Sequence, residues 1–118
     1  MNNKLKNTLY VVTAYLAVFG VLFLFAPRVA EQVMQTELPD ATLNMLYGQI
    51  MLTFAYVGFM AARSGDAGDS WRAILVLTVG HVVVFGYLLL TGRQGFAQVG
   101  PPLIINAIFS VLLYLFRK

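Results

Sequence analysis

The sequence contains no cysteine among its 118 residues. This absence excludes disulfides, thiolate metal sites, iron–sulfur clusters and thiol catalysis. Charged residues make up only 11% of the chain, and none lies within the four long apolar runs at 9–26, 43–62, 73–90 and 103–116. Hydrophobic residues make up 59%, and a chain of this length cannot bury so much apolar surface in a soluble fold. The sequence therefore predicts an integral membrane protein.

Each apolar run approaches the roughly 20 residues that a helix needs to cross about 30 Å of hydrocarbon. We predict a single domain over 1–118, with spans at 8–26, 42–62, 71–91 and 102–116. A shorter helix is predicted at 28–37, lying along the lipid headgroups, because Val29 and Val33 are four residues apart among polar neighbours. Short connections place consecutive spans antiparallel. The expected fold class is all-α, a four-helix bundle with up-down-up-down topology.

Positively charged residues are divided unevenly between the two sides that this topology defines. Six lie on one side and two, Arg28 and Arg93, on the other. The positive-inside rule then places both termini in the cytoplasm, in the inner (plasma) membrane of a bacterial cell. The net charge of +3 comes from these span-end residues, so we expect membrane lipid and not nucleic acid as a partner. The six residues are Lys4, Lys6, Arg63, Arg72, Arg117 and Lys118.

Small and polar residues identify the faces on which the spans pack, since lipid provides no hydrophobic drive between helices. Such residues recur at helical spacing on spans 1, 2 and 4. They are Thr13, Ala14, Ala17 and Gly20 on the first, Asn44, Gly48, Met51, Ala55, Gly58 and Ala62 on the second, and Pro102, Asn106, Ser110 and Tyr114 on the fourth. On span 3, Thr78 and His81 are three residues apart. Pro102 is expected in the first turn of its helix, where its missing N–H costs nothing.

Five polar side chains within the spans are the candidate ligand-binding residues: His81, Gln49, Asn106, Tyr56 and Ser110. His81 is the only histidine and lies near the predicted bilayer midplane. Ionisable residues at that depth are costly and often functional. The alternative is structural: a neutral imidazole that bonds Asn106, Gln49 or Thr78 and fixes the register of the helices. The sequence leaves both readings open.

The spans lack the combinations of residues that known catalytic and metal sites require. No Asp, Glu or Cys accompanies His81 within them, so no metal site is expected. Ser110 has no acid to orient a histidine base, and we assign no catalytic residue. A bis-imidazole haem would need a second histidine from a symmetric partner. The sequence does not identify a cofactor.

Three functions are consistent with these residues. The leading hypothesis is a non-enzymatic module that binds an apolar or amphipathic ligand, such as a lipid or quinone, or a partner's helices, between its spans. The second is an accessory or assembly subunit of a larger membrane complex, or a homo-oligomer. The third is a membrane-embedded isomerase or cyclase that uses His81 or Tyr56 as a proton donor.

Two segments carry a resemblance to a known group of proteins. They are the end of the first span at 20–27, Gly-Val-Leu-Phe-Leu-Phe-Ala-Pro, and the Trp71-Arg72 start of the third span with His81 downstream. In these segments and in its layout the chain resembles small bacterial four-span membrane proteins of the DoxX-like type. The resemblance implies a four-span bundle and brings no established catalytic residues. Small multidrug-resistance transporters have a similar size, but the first span here lacks their membrane-embedded glutamate.

Overall fold

The computed structural model describes residues 2–35, 37, 40–65 and 68–117. In these parts of the chain the secondary structure is helical, and no strand occurs. Four of the helices are long and apolar enough to cross a membrane. The predicted all-α fold is therefore confirmed. The five helices are α1 (Asn3–Phe25), α2 (Pro27–Met34), α3 (Ala41–Ser64), α4 (Ser70–Leu90) and α5 (Phe96–Leu115).

The four long helices form a bundle in which helices that follow one another in sequence are antiparallel neighbours. Packing is most extensive between α1 and α3 and between α4 and α5, whereas α3 meets α4 and α1 meets α5 over smaller areas. The side-chain amide of Asn2 donates to the carbonyl oxygen of Phe116 at 2.8 Å. Both termini therefore lie at one end of the bundle, the terminal end. The short helix α2 lies at the opposite end, the α2 end.

Local hydrogen bonds explain where α1 and α3 begin and end. Asn2 caps α1 by accepting from the backbone N–H of Leu5 at 2.7 Å, so the helix begins five residues before the predicted span. Asp40 caps α3 in the same way, accepting from Leu43 at 3.1 Å. Gly65, at φ 75°, ends α3 in the left-handed conformation that glycine adopts without strain.

The α2 helix is shorter than the segment predicted at 28–37. It begins at Pro27, whose fixed φ suits a first helical position. It ends at Met34 because Gln35 adopts a left-handed conformation, at φ 53°. Val29 and Val33 are exposed on it while Ala30 is fully buried. Part of the predicted range, Thr36, lies outside the described residues, as does Lys118 from the charge count.

The start of α5 differs from the prediction. The helix begins at Phe96 instead of 102, with Gly95 as its N-cap, and Pro101 and Pro102 lie inside it. The expectation that Pro102 occupies the first turn is wrong, because the residues from Phe96 to Gly100 already form a helical turn before the prolines. Because proline has no N–H, the carbonyl oxygens four residues earlier, those of Ala97 and Gln98, lose their helical donors.

The predicted packing stripe of the second span is confirmed, since all six of its residues are buried on α3. On the first and fourth spans, the buried face of the helix is rotated about the helix axis relative to the predicted stripe. On α1 the buried face is mostly aliphatic, and Ala14 is exposed. On α5 Asn106 is buried, whereas Tyr114 is 54% exposed. Large aliphatic residues, including Leu9, Leu16 and Leu113, therefore fill the core beside the small residues of α3.

Candidate ligand-binding cavity

A cavity of about 170 Å³ lies between the four long helices, from the middle of the bundle towards the α2 end. Val33 and Met34 of α2 cover it at that end. Among the described residues that line it, none carries a formal charge. The lining is Tyr15, Phe19, Phe23, Val33, Met34, Tyr47, Met51, His81, Phe85, Ala97, Gln98, Pro101, Pro102 and Ile105.

Tyr47 and His81 form a hydrogen-bonded pair on the wall of this cavity. The Tyr47 ring packs edge-on against Phe23, with ring centroids 4.9 Å apart, and its hydroxyl is hydrogen-bonded to Nε2 of His81. Nδ1 of His81 lies 2.8 Å from the carbonyl oxygen of Leu77. A carbonyl oxygen can only accept, so Nδ1 carries the hydrogen in the neutral imidazole. Nε2 is then the acceptor, and Tyr47 donates to it.

A second polar cluster continues from the cavity towards the terminal end. Asn106 is 2% exposed, donates to the carbonyl oxygen of Pro102 at 2.8 Å and is hydrogen-bonded through its side chain to Tyr15. One turn further along α5, the Ser110 hydroxyl is 2.8 Å both from Oγ1 of Thr78 and from the carbonyl oxygen of Asn106. These bonds connect α1, α4 and α5 through side chains that are buried (Thr78 and Asn106) or partly buried (Tyr15 and Ser110).

A groove opens on the outer surface of the bundle between α3 and α4. Its volume is about 520 Å³. It shares Tyr47, His81 and Phe85 with the cavity, so these three side chains separate the interior from the groove. Gly80 lies in the groove, and a Cβ added there would meet no atom within 4 Å. The groove is otherwise lined by Phe54, Ala73, Val76, Leu77 and Val84.

The structure brings together only some of the predicted site residues. His81 lines the cavity, but its side-chain partner is Tyr47, and the expected partners Asn106, Gln49 and Thr78 bond elsewhere. Asn106 and Ser110 lie in the buried polar cluster. Gln49 is exposed, with its amide donating to Thr53 at 3.0 Å, and Tyr56 is 65% exposed.

Sequence reasoning missed Tyr47 and Tyr15 because tyrosine is common in spans without being a site residue. A signal was present for Tyr47. It precedes Gly48 and comes four residues before Met51, both of which belong to the packing stripe of the second span. Helical periodicity therefore directs Tyr47 towards the interior of the bundle.

The chemistry available at the cavity is hydrogen bonding within an apolar space. In the described parts of the chain, no three His, Cys, Asp or Glu side chains come together as a metal site would require. Among the residues that the structure describes, the lining of the cavity contains no Asp, Glu, Lys or Arg. This arrangement suits an uncharged molecule with an apolar body and one polar end.

No family model, curated protein or solved structure matches this chain.

Proposed function

We propose that the protein binds an apolar or amphipathic molecule from the bilayer, with the head group in the cavity and the remainder in the groove between α3 and α4. The observation that carries this proposal is that the cavity and the groove adjoin each other. Tyr47, His81 and Phe85 line both, so these side chains, and not a packed helix, divide a molecule in the cavity from the groove.

The size of the cavity supports a head group about as large as one ring. A cavity of about 150 Å³ lined by apolar side chains can hold benzene in another protein, and the cavity here has about 170 Å³. The acyl or prenyl chain of a larger lipid does not fit in that volume. The groove offers such a chain a path beside Gly80 to the surface of the bundle.

The test is retention of a bound lipid or quinone in native mass spectrometry of the protein purified in mild detergent. Gly80→Leu places a side chain in the groove, and it should fold because Gly80 has open space around its Cα. The matched control is Val83→Leu, a 63% exposed position on the same helix that lines neither space. We expect retained ligand in wild type and in Val83→Leu, and loss in Gly80→Leu. Equal retention in all three proteins would contradict the proposal.

The membrane and the orientation are part of the same proposal. We place the chain in the inner (plasma) membrane of a bacterial cell with both termini cytoplasmic, on the strength of the six-to-two charge distribution. Because the chain has no cysteine, single cysteines report orientation directly. Gln32→Cys on the exposed side of α2 should react with an impermeant thiol reagent added outside intact cells, whereas Asn3→Cys should react only after lysis. The opposite pattern would reverse the orientation.

One observation favours a second candidate function, that of an accessory subunit or homo-oligomer. Gln49, Thr53 and Tyr56 lie three to four residues apart on α3 and are all exposed, so they form a polar stripe on a surface that lipid would otherwise cover. Polar side chains at such positions commonly bond a neighbouring helix. Native mass spectrometry tests this candidate through a stoichiometric protein partner or second copy that is retained by wild type and lost in Gln49→Leu. Exchange of the adjacent Ile50 for Leu is the control.

A further inference from the structure

We infer that the cavity selects a neutral ligand whose polar end donates a hydrogen bond, such as a phenol, a quinol or an alcohol on an apolar body. This inference rests on the proposed function and specifies the chemistry of its ligand. It follows from the hydrogen-bonding capacity of the wall, which offers acceptor oxygens at two places and no charge.

The first acceptors are backbone carbonyl oxygens of α5. Pro101 and Pro102 lie inside the helix, and proline has no N–H to donate. The carbonyl oxygens of Ala97 and Gln98, four residues earlier, therefore lose their helical donors. All four of these residues line the cavity. A polar ligand end can take the place of the missing backbone donors.

The second acceptor is the hydroxyl oxygen of Tyr47. Its hydrogen is donated to Nε2 of His81, because Nδ1 carries the imidazole hydrogen and bonds Leu77. The tyrosine oxygen keeps its acceptor capacity. The hydroxyl hydrogen of Tyr47 and the imidazole hydrogen of His81 are therefore both already donated, the first to Nε2 of His81 and the second to the carbonyl oxygen of Leu77. Tyr47 and His81 therefore present an acceptor to the cavity in the neutral state.

This wall discriminates between ligand ends of similar shape. A hydroxyl can donate to any of these oxygens and satisfy them. A ketone or ether has only acceptor atoms. It can accept from the Tyr15 hydroxyl or the Gln98 amide of the lining, but it leaves these oxygens unpaired in an apolar site, where unpaired polar groups are costly. Among quinone lipids, the inference predicts that the reduced quinol binds more tightly than the oxidised quinone. An ionised ligand end would find no counter-charge among the described residues of the lining.

The probes are 4-octylphenol, its methyl ether 4-octylanisole, and octylbenzene, each titrated into the full chain in detergent micelles. Binding is followed by NMR of methionines labelled with ¹³C at the methyl group. Met34 and Met51 line the cavity, whereas Met45 and Met60 are exposed on α3 and serve as internal controls. We expect shifts confined to Met34 and Met51. The phenol should bind about fivefold more tightly than the ether, the size of one net hydrogen bond.

A double variant tests the source of this preference. Pro101→Ala with Pro102→Ala restores two backbone donors to the carbonyl oxygens of Ala97 and Gln98, so the preference for the phenol over the ether should fall by half or more. Comparing the phenol-to-ether ratio between proteins removes differences in micelle partition. The control is Pro27→Ala at the start of α2, which should keep the wild-type ratio.

The outcomes separate the two proposals. If no probe shifts Met34 or Met51, the proposed function fails and this inference fails with it. If all three probes shift them with equal affinity, the cavity binds apolar molecules and only the inference on donor selectivity is overturned. An unchanged phenol-to-ether ratio in the double proline variant would show that the freed carbonyls are not the acceptors, which also contradicts it.

Discussion

Gly48 on α3 is the position where a single added carbon should do most damage to the bundle. A Cβ built there would lie 2.8 Å from the carbonyl oxygen of Gly20 and 2.9 Å from the backbone nitrogen of Leu24, both on α1. These are backbone atoms, so a change of side-chain rotamer cannot relieve the contact. Gly48→Ala therefore forces α1 and α3 apart at this backbone contact.

The size of the effect follows from these distances. Ordinary contact begins at 3.4 Å, so α1 must move away by about 0.6 Å, and a gap of that size already removes a quarter or more of the attraction between the facing atoms. Overpacking of this kind typically costs about 1–3 kcal/mol, while alanine regains up to about 1 kcal/mol of helix propensity. We expect a net loss of about 1–2 kcal/mol in the free energy of unfolding.

Gly80→Ala is the matched control, because it makes the same chemical change on α4 where a Cβ would meet no atom within 4 Å. It should leave stability unchanged or raise it by up to about 1 kcal/mol. The assay is reversible unfolding in mixed micelles of mild detergent and dodecyl sulfate, followed by far-UV circular dichroism. Equal stability of the two variants, or a Gly48→Ala protein as stable as wild type, would refute the close approach of α1 and α3.

Two further predictions concern polar groups in the spans. The Tyr47 and His81 side chains should show a coupling energy of about 0.6–1.7 kcal/mol in a double-mutant cycle of Tyr47→Phe and His81→Leu, the range for bonds between membrane helices; additive effects would mean that the pair is not bonded. Within the described residues the buried hydroxyl of Thr13 has no hydrogen-bond partner, so Thr13→Val should raise the free energy of unfolding by about 0.5–1 kcal/mol. A loss of stability would indicate that the hydroxyl is bonded.

The number of long helices and their approximate positions could be predicted from the sequence because the hydrocarbon thickness sets the length of an apolar helix, although α5 begins six residues before the predicted span. The buried face of α3 was predictable for a related reason. Glycine and alanine there permit close approach, and α1 packs against them. On α1 the same rule holds at Gly20, which is buried against Gly48, and fails at Ala14, which is exposed. The remaining buried positions of α1 are mostly leucine, valine and phenylalanine.

The site was less predictable than the fold. His81 was identified from its rarity, but its partner depends on how α4 rotates against α3, which the composition of either helix does not encode. Gln49 was expected inside, yet it bonds Thr53 on its own helix and so needs no interior partner. The carbonyl oxygens of α5 that the two prolines leave without helical donors were also not predicted from the sequence. The cause is that the prolines lie inside a helix, whereas the sequence suggested a helix that starts at them.

The packing of α4 bears on how a ligand reaches the cavity. Ile74 and Thr78 are its only buried residues, and α4 meets α3 over a much smaller area than it meets α5. Lipid solvates an apolar helix as well as another helix does, so little hydrophobic free energy opposes a separation of α4 from α3. The bond between Tyr47 and His81 joins the two helices directly beside the groove. A ligand that donates to the oxygen of Tyr47, as we infer, leaves this bond in place, so the pair can still hold α3 and α4 together beside the groove while the ligand is bound.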